Sequence, residues 1–495
     1  MVWAIALCLC VRTPAAEEGA VAELKIQLQQ LREEFARTRQ EQEQRIHELT
    51  QKLDALAGLT PGASTSTQPK ADDQDLLARQ LAAELGTSPA AVVGPAPRGV
   101  NVVPTESYAG RPMAPATRAG PAYMNVSYGT LIDAGWSTEA DPARRLQLGD
   151  HDPIKRGFTL PNAEITFDGA VDPYFQGFAS IVLKLDRNNE TEIELEETYV
   201  QSTALPANLQ LKAGQYFASF GRQNPQHPHA WAFVDQPLIL SRAFGPDGLR
   251  SIGAQLSWLA PTPFYTEVFM GVFDGEGGTG FSFRHPGEPD ASGVPRFAGR
   301  ATVDHPLRSA RDLLFVPRIA ISTQLTDTQT LLAGFSAALG PNEPGPDSRT
   351  SIYGADIYWK WRPANATRGF PYVSWQAEAL YRRFEAAIDP LAPVPLPAET
   401  LRDYGWYSQL LFGFAPRWNA GLRADWVNSN AGVFDSEDPF RGRRHRISPE
   451  LTFFPSEFSK VRLQYNFDQG TLLGTARSIW MQLEFGIGAH AAHKF

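Results

Sequence analysis

The feature that most constrains this chain is an alternation of apolar and polar residues at a period of two, clearest near the C-terminus. Every second residue from Ile479 gives Ile479, Met481, Leu483, Phe485, Ile487, Ala489, Ala491, His493 and Phe495, all apolar but His493. The intervening set, Ser478, Trp480, Gln482, Glu484, Gly486, Gly488, His490, Ala492 and Lys494, is mostly small or polar. Successive side chains of a strand point to opposite faces, so this stretch predicts a strand with one apolar and one wet face. It is longer than the usual strand of a soluble sheet.

The same pattern recurs upstream. Asn162, Glu164, Thr166 and Asp168 alternate with Ala163, Ile165 and Phe167; Arg462, Gln464, Asn466 and Asp468 alternate with Val461, Leu463, Tyr465 and Phe467. Gly421, Arg423 and Asp425 alternate with Ala420, Leu422, Ala424 and Trp426. An edge strand of a soluble sandwich and a strand of a transmembrane barrel both fit one such segment. The connections separate them. Short turns fall at 172–173, 205–208, 260–263, 326–328, 415–418 and 455–458, with a middling one at 363–369. Between them lie mostly longer, Pro/Gly-rich loops at 135–156, 219–248, 275–312, 340–349, 385–400, 428–443 and 470–476, and one short exception at 187–190. Short turns on one rim and long loops on the other are the construction of a transmembrane barrel, which also has an even strand number. The fold class is therefore an all-β transmembrane barrel of about sixteen antiparallel strands. The segment 296–306 alternates weakly; as a membrane strand it would invert every later turn, so it is assigned to a hairpin arm inside a long loop.

Composition agrees with a barrel. No internal run of about 20 apolar residues exists to make a spanning helix, and alternating strands dilute their apolar residues into an ordinary average. The formal charge of −9 argues against nucleic acid as a partner.

The N-terminal quarter changes register. An apolar run from Val2 to Val11 precedes Ala15 and Ala16, which predicts a signal peptide over 1–16. Both cysteines, Cys8 and Cys10, lie inside it, so the mature chain is expected to lack disulfides and thiol chemistry. Over 21–57, Leu24, Leu28, Leu31 and Phe35, then Ile46, Leu49, Leu53 and Leu56, form a heptad seam broken by a four-residue stutter. This predicts a periplasmic coiled coil of about 50 Å; a single amphipathic helix packed on its own domain is the alternative. Residues 58–120, rich in Pro, Ala and Ser, form a linker expected to be disordered. The barrel occupies 121–495.

Several blocks of the barrel region resemble the phosphate-selective porin O and P family of bacterial outer-membrane porins. They are LQLKAGQYFASFG (from Leu209), FVDQPLILSRAFGPDGLRSIGAQLSWL (from Phe233), TEVFMGVFDGEG (from Thr266), YGADIYWKWRP (from Tyr353) and the closing strand. The order of the blocks carries the resemblance, which covers about Tyr123 to Phe495 and leaves out the coiled coil and linker. It implies a sixteen-stranded, usually trimeric channel in the outer membrane, passing small hydrophilic solutes or inorganic anions with no reaction and no cofactor. Family members selective for anions line the pore with ladders of Arg and Lys. No dense ladder is present here, so weak anion preference and no high-affinity phosphate binding are expected. The alternatives are a substrate-specific outer-membrane transporter, or a structural protein whose coiled coil spaces the barrel from the cell wall or tethers it there.

Candidate pore-lining and constriction residues follow from the wet faces and the third long loop. Glu164 and Glu194, with Asp168 and Glu196, put acid on the early strands; Lys360, Arg382 and Arg423, with Arg318, Arg362 and Arg462, put base on the later ones. The loop 219–248 contributes Arg222, Asp235 and Arg242 if it folds inward. Acid opposite base makes a transverse field; cross-strand pairing of the same charges is equally consistent. His227 and His229 stand one residue apart but lack a third ligand at a recognisable spacing, so no metal site is assigned. The glycine-rich stretch from Gly275 to Gly280 does not lead from a strand into a helix and is taken as loop. Trp359, Trp361, Trp375, Trp406, Trp418 and Trp426 are expected in interface girdles rather than as stacking sites; if Trp406 and Trp418 flank the turn at Ala415 they anchor that rim, the alternative being packing in the subunit interface.

Overall fold

The computed structural model describes residues 117–119 and 122–488, except 147–148, 204, 304–305, 431, 435 and 437–439. The signal peptide, the coiled coil, nearly all of the linker and the terminal residues 489–495 lie outside the described residues.

Sixteen antiparallel strands form one closed sheet. The first eight are β1 (Ala122–Ser137), β2 (Gly157–Ala170), β3 (Phe175–Leu185), β4 (Thr191–Ser202), β5 (Leu209–Phe217), β6 (Arg250–Leu259), β7 (Tyr265–Phe273) and β8 (Leu314–Thr326). The rest are β9 (Gln329–Pro341), β10 (Arg349–Trp361), β11 (Tyr372–Ala386), β12 (Glu399–Ala415), β13 (Trp418–Asn430), β14 (Arg444–Ser456), β15 (Ser459–Gly470) and β16 (Gly474–Ile487). Each pairs with its sequence neighbours, and β1 closes the ring by pairing with β16, from Tyr128↔Ile487 to Ser137↔Ser478. A short arm, Thr117–Ala119, folds back on the start of β1. Closure removes the unpaired sheet edge that would otherwise have to be satisfied by solvent or another chain.

The alternation settles into two surfaces. On β16, Ile479, Met481, Leu483, Phe485 and Ile487 are exposed, while Ser478, Trp480, Gln482 and Glu484 are buried inside the ring. The outward set continues around the barrel through Ile193, Leu211, Ile252, Met270, Ile319, Phe335, Leu422, Ile447 and Leu463, all exposed. Soluble monomers do not present a continuous apolar belt of this kind; a lipid-facing barrel does.

The long and short connections sort to opposite rims as expected. The segment around 296–306 is a hairpin in the loop between β7 and β8: Pro295–Phe297 pairs with Arg300–Ala301 and with Glu288–Pro289. Trp418 does sit at a short turn. Trp406 does not: it stands mid-strand on β12, directly across from Trp426 on β13, because nine further residues of β12 separate it from that turn.

Strict alternation fails at one place that matters below. Between β3 and β4 the register shifts, with Ser180 opposite Glu197 but Ile181 opposite Leu195. The extra residue, Glu196, is accommodated as a β-bulge, and Glu196 and Glu197 are both buried. A bulge re-aims a side chain at the cost of one ladder pairing; here it turns two consecutive carboxylates inward.

Candidate functional site

The segment 218–249, between β5 and β6, crosses the barrel interior and contacts most of its wall. Its chemistry explains the path. Prolines 225, 228 and 237 prevent a long helix, and a short helix, α1 (Leu238–Phe244), follows Pro237. All seven residues of α1 are buried. Five of them, Leu238, Ile239, Leu240, Ala243 and Phe244, pack into an apolar cluster with Phe220 of the same loop and with Phe273, Leu314, Val316, Ile352, Leu380, Tyr407 and Val427 of the wall. Those wall residues interrupt the polar inner face of their strands, and the interruptions together form the seat for α1. Near the start of the loop Gly221 has a φ of +60°, and a Cβ there would lie 2.2 Å from Glu378 Oε2. The backbone can approach the wall that closely only as glycine.

Polar ties fix the loop at three positions. At the first, Glu378 Oε1 accepts from the backbone N–H of Arg222 (3.0 Å) and Gln223 (2.7 Å) and from Tyr407 Oη (2.8 Å). The Arg222 side chain donates to Gln376 (3.0 Å) and lies over the Tyr358 ring at 3.9 Å.

At the second, Asp235 is fully enclosed by β13, β14 and β15. Arg423 Nη2 and Arg446 Nη1 each donate to one of its oxygens at 2.5 Å, and Gln464 and Asn466 each donate at 2.8 Å. Arg423 is shared with Asp425 (2.8 Å) and Arg446 with Asp468 (2.9 Å). Burial alone would raise the Asp235 carboxyl, but Arg423 and Arg446 hold it well below the usual carboxylate range.

At the third, the His227-Pro228-His229 turn meets an acidic wall. His227 Nδ1 lies 3.1 Å from Glu164 Oε1 and 2.8 Å from Glu196 Oε2, and its Nε2 lies 2.8 Å from Glu197 Oε2. His229 Nδ1 lies 2.9 Å from Glu164 Oε2. Burial would push the His227 imidazole down; the carboxylates of Glu164 and Glu196 reverse that and hold it well above its ordinary value. Ser180 Oγ donates to Glu164 (2.8 Å), and the Phe217 N–H donates to Glu197 (2.9 Å).

The residues singled out from sequence therefore occupy distinct settings. Asp235 and Arg423 are brought together in one ion-paired knot. Glu164 serves the histidines. Glu194 pairs with Arg250 and, at 3.4 Å, with Lys184. Arg382 pairs with Asp403 at 2.6 Å. Arg242 donates to the backbone carbonyls of Phe440 and Gly442, and burial lowers its guanidinium to about 9. Lys360 sits two residues beyond Tyr358 on the same inner face of β10 and faces the Tyr372 ring at 5.5 Å. Sequence alone did not single out Arg446 and Gln464, which are unremarkable wet-face residues until Asp235 arrives from far away in the chain. Glu197 was also missed, since unbroken alternation would point it at lipid.

The inner wall is unevenly wetted. Arg423, Asp425, Arg446, Ser448, Gln464, Asn466 and Asp468 on β13–β15 are at most 2% exposed. Lys212, Tyr358 and Lys360 on β5 and β10 keep partial exposure, and Lys212 lies between the rings of Tyr199 and Tyr216 at 3.6 and 4.2 Å.

No known protein-family profile matches the chain. Among solved structures, the outer membrane channel DcaP of Acinetobacter baumannii superposes with a TM-score of 0.50 at 11% identity, over 76% of this chain and all of that one. That likeness is one of fold. In sequence, an uncharacterized protein of Aquifex aeolicus (strain VF5) is 32% identical over 366 residues, covering 69% of this chain and 71% of the relative. The chain belongs to one family with that Aquifex aeolicus protein, and it folds as a closed sixteen-stranded antiparallel barrel.

Proposed function

We propose that the protein is an outer-membrane porin, a passive route for small hydrophilic solutes that carries out no reaction. The observation that supports this most is the combination of a continuous outward apolar belt with a polar interior narrowed by one inward loop. DcaP, whose fold it shares, is described as an outer membrane channel. Planar-bilayer recording of the refolded full chain tests the reading: stepwise conductance is expected, and its absence together with lipid or peptide hydrolysis would replace the porin with an enzyme.

The uneven wetting favours a narrow path on one side of the lumen. The β13–β15 wall is dry, so solute passes along Lys212, Tyr358 and Lys360. Lys360 and Arg362 have no ion pair among the described residues, and with Arg222 they place three cations close enough to feel one another. This supports a weak anion preference; reversal potentials in a salt gradient read it directly. The resemblance to phosphate-selective porins fits the architecture, but most basic side chains facing inward are paired with carboxylates. High-affinity phosphate binding is not expected. Assembly as a homotrimer, in line with that resemblance, is read by cross-linking in detergent.

A further inference from the structure

The cluster at the third tie has more ligating groups than a hydrogen-bonded clamp needs. Glu164 comes from β2, Glu196 and Glu197 from the bulge of β4, and His227 and His229 from the inward loop. One ligand atom each from Glu164, His227 and His229 lie within 4.8 Å of one another. A Glu196 oxygen stands 2.8 Å from His227 Nδ1. Ligands about 2.0–2.2 Å from a tetrahedral metal ion lie roughly 3.3–3.6 Å apart. For Glu164, His227 and His229 the contacts of 2.9–3.1 Å and the outer bound of 4.8 Å bracket that spacing, and Glu196 adjoins this trio through His227 Nδ1.

We propose that Glu164, Glu196, His227 and His229 form a binding site for a divalent transition-metal ion of the zinc class, which joins the inward loop to the barrel wall.

Three features favour a metal over a proton. His227 Nδ1 faces two carboxylate oxygens from different strands, and a single N–H can point well at one of them, whereas a metal ion engages both. Glu197 lies against the other ring nitrogen and itself accepts from the Phe217 N–H. A carboxylate on the far side of a ligating histidine fixes the tautomer that leaves the near nitrogen free to ligate. Ser180 orients Glu164 in the same way. Two imidazoles with two carboxylates select zinc-like ions over calcium or magnesium, which prefer oxygen alone. The His229 side chain keeps 14% exposure, which gives an ion a way in from the interior.

The test uses the full chain carrying a histidine-free tag, folded in detergent and stripped with a chelator. Cobalt(II) is titrated as a spectroscopic probe, then displaced with zinc. The expected result is the intense visible absorption of tetrahedral cobalt, saturating near one ion per chain and abolished by zinc. His229→Gln should lose that absorption while the barrel keeps its heat-modifiable electrophoretic mobility. Glu197→Gln should keep the absorption and weaken affinity about 10–100-fold. If the wild-type chain shows only octahedral cobalt, or if the double change His227→Gln/His229→Gln binds the ion as well as wild type, the site does not exist. Should the double variant fail to fold, His229→Gln alone decides, because its side chain sits at the edge of the cluster.

Discussion

Two of the three ties that hold the inward loop carry opposite charge, and they are built on different chemistry. On β13–β15 an aspartate from the loop enters a wall of arginines; on β2 and β4 histidines from the loop enter a wall of glutamates. The first rests on guanidinium groups, which stay charged at any physiological pH and present rigid forks of donors. The second rests on imidazoles, whose charge and ligation depend on conditions. One crossing segment is thus fixed permanently on one side and adjustably on the other. The sequence order of wall charges, acid early and base late, is what makes this possible.

The largest expected effect comes from emptying the permanent side. Asp235→Ala leaves Arg423 and Arg446 buried with only part of their compensation, which should cost about 3–5 kcal/mol and raise single-channel conductance as the loop loosens. A thermal midpoint and conductance like wild type would mean that α1 alone secures the loop. Next is Asp152, in the loop between β1 and β2, which accepts from the Gln236 N–H (2.8 Å) and the Gly149 N–H (3.1 Å). Burial and then the neighbouring Asp235 push its carboxyl up to about 7, partly opposed by Arg446. Between about pH 4 and 7 the folded protein keeps a proton that the unfolded chain has released, so stability falls as pH rises through that window. Asp152→Asn should unfold at a higher temperature than wild type at pH 8 and at the same temperature near pH 4. An equal difference at both pH values would show that hydrogen bonding, not charge, is what the residue contributes. On the adjustable side Glu164→Gln should cost less than Asp235→Ala, about 1–3 kcal/mol, because Glu196 and Glu197 still face His227. If the two costs match, the contrast between the anchorages fails. The smallest change is Lys360→Gln: conductance near wild type with a modest loss of anion preference, measured as a shift in reversal potential.

Much of the frame was legible in the sequence because a period of two and the parity of turns are local properties. Ile479 and Gln482 declare their faces without help from the rest of the chain, and the weak alternation at 296–306 was resolved by counting turns. Pairing was not legible. Nothing near Arg446 announces Asp235, more than two hundred residues earlier, and Ile352 or Leu380 on a wet face is an anomaly until α1 covers it. Glu197 was hidden by a single bulged residue, which reverses every facing assignment beyond it on that strand.

A wide barrel wall is a thin hoop, and a hoop under side load flattens before it breaks. The segment from Phe220 to Leu249 spans this hoop and is fastened to it at Glu378, at Asp235 and at His227. It therefore acts as a cross-brace. Ovalising the barrel would stretch the Asp235–Arg446 contact on one side or the His227–Glu197 contact on the other, so lateral pressure on the ring is resisted by the same residues that hold the loop inside it.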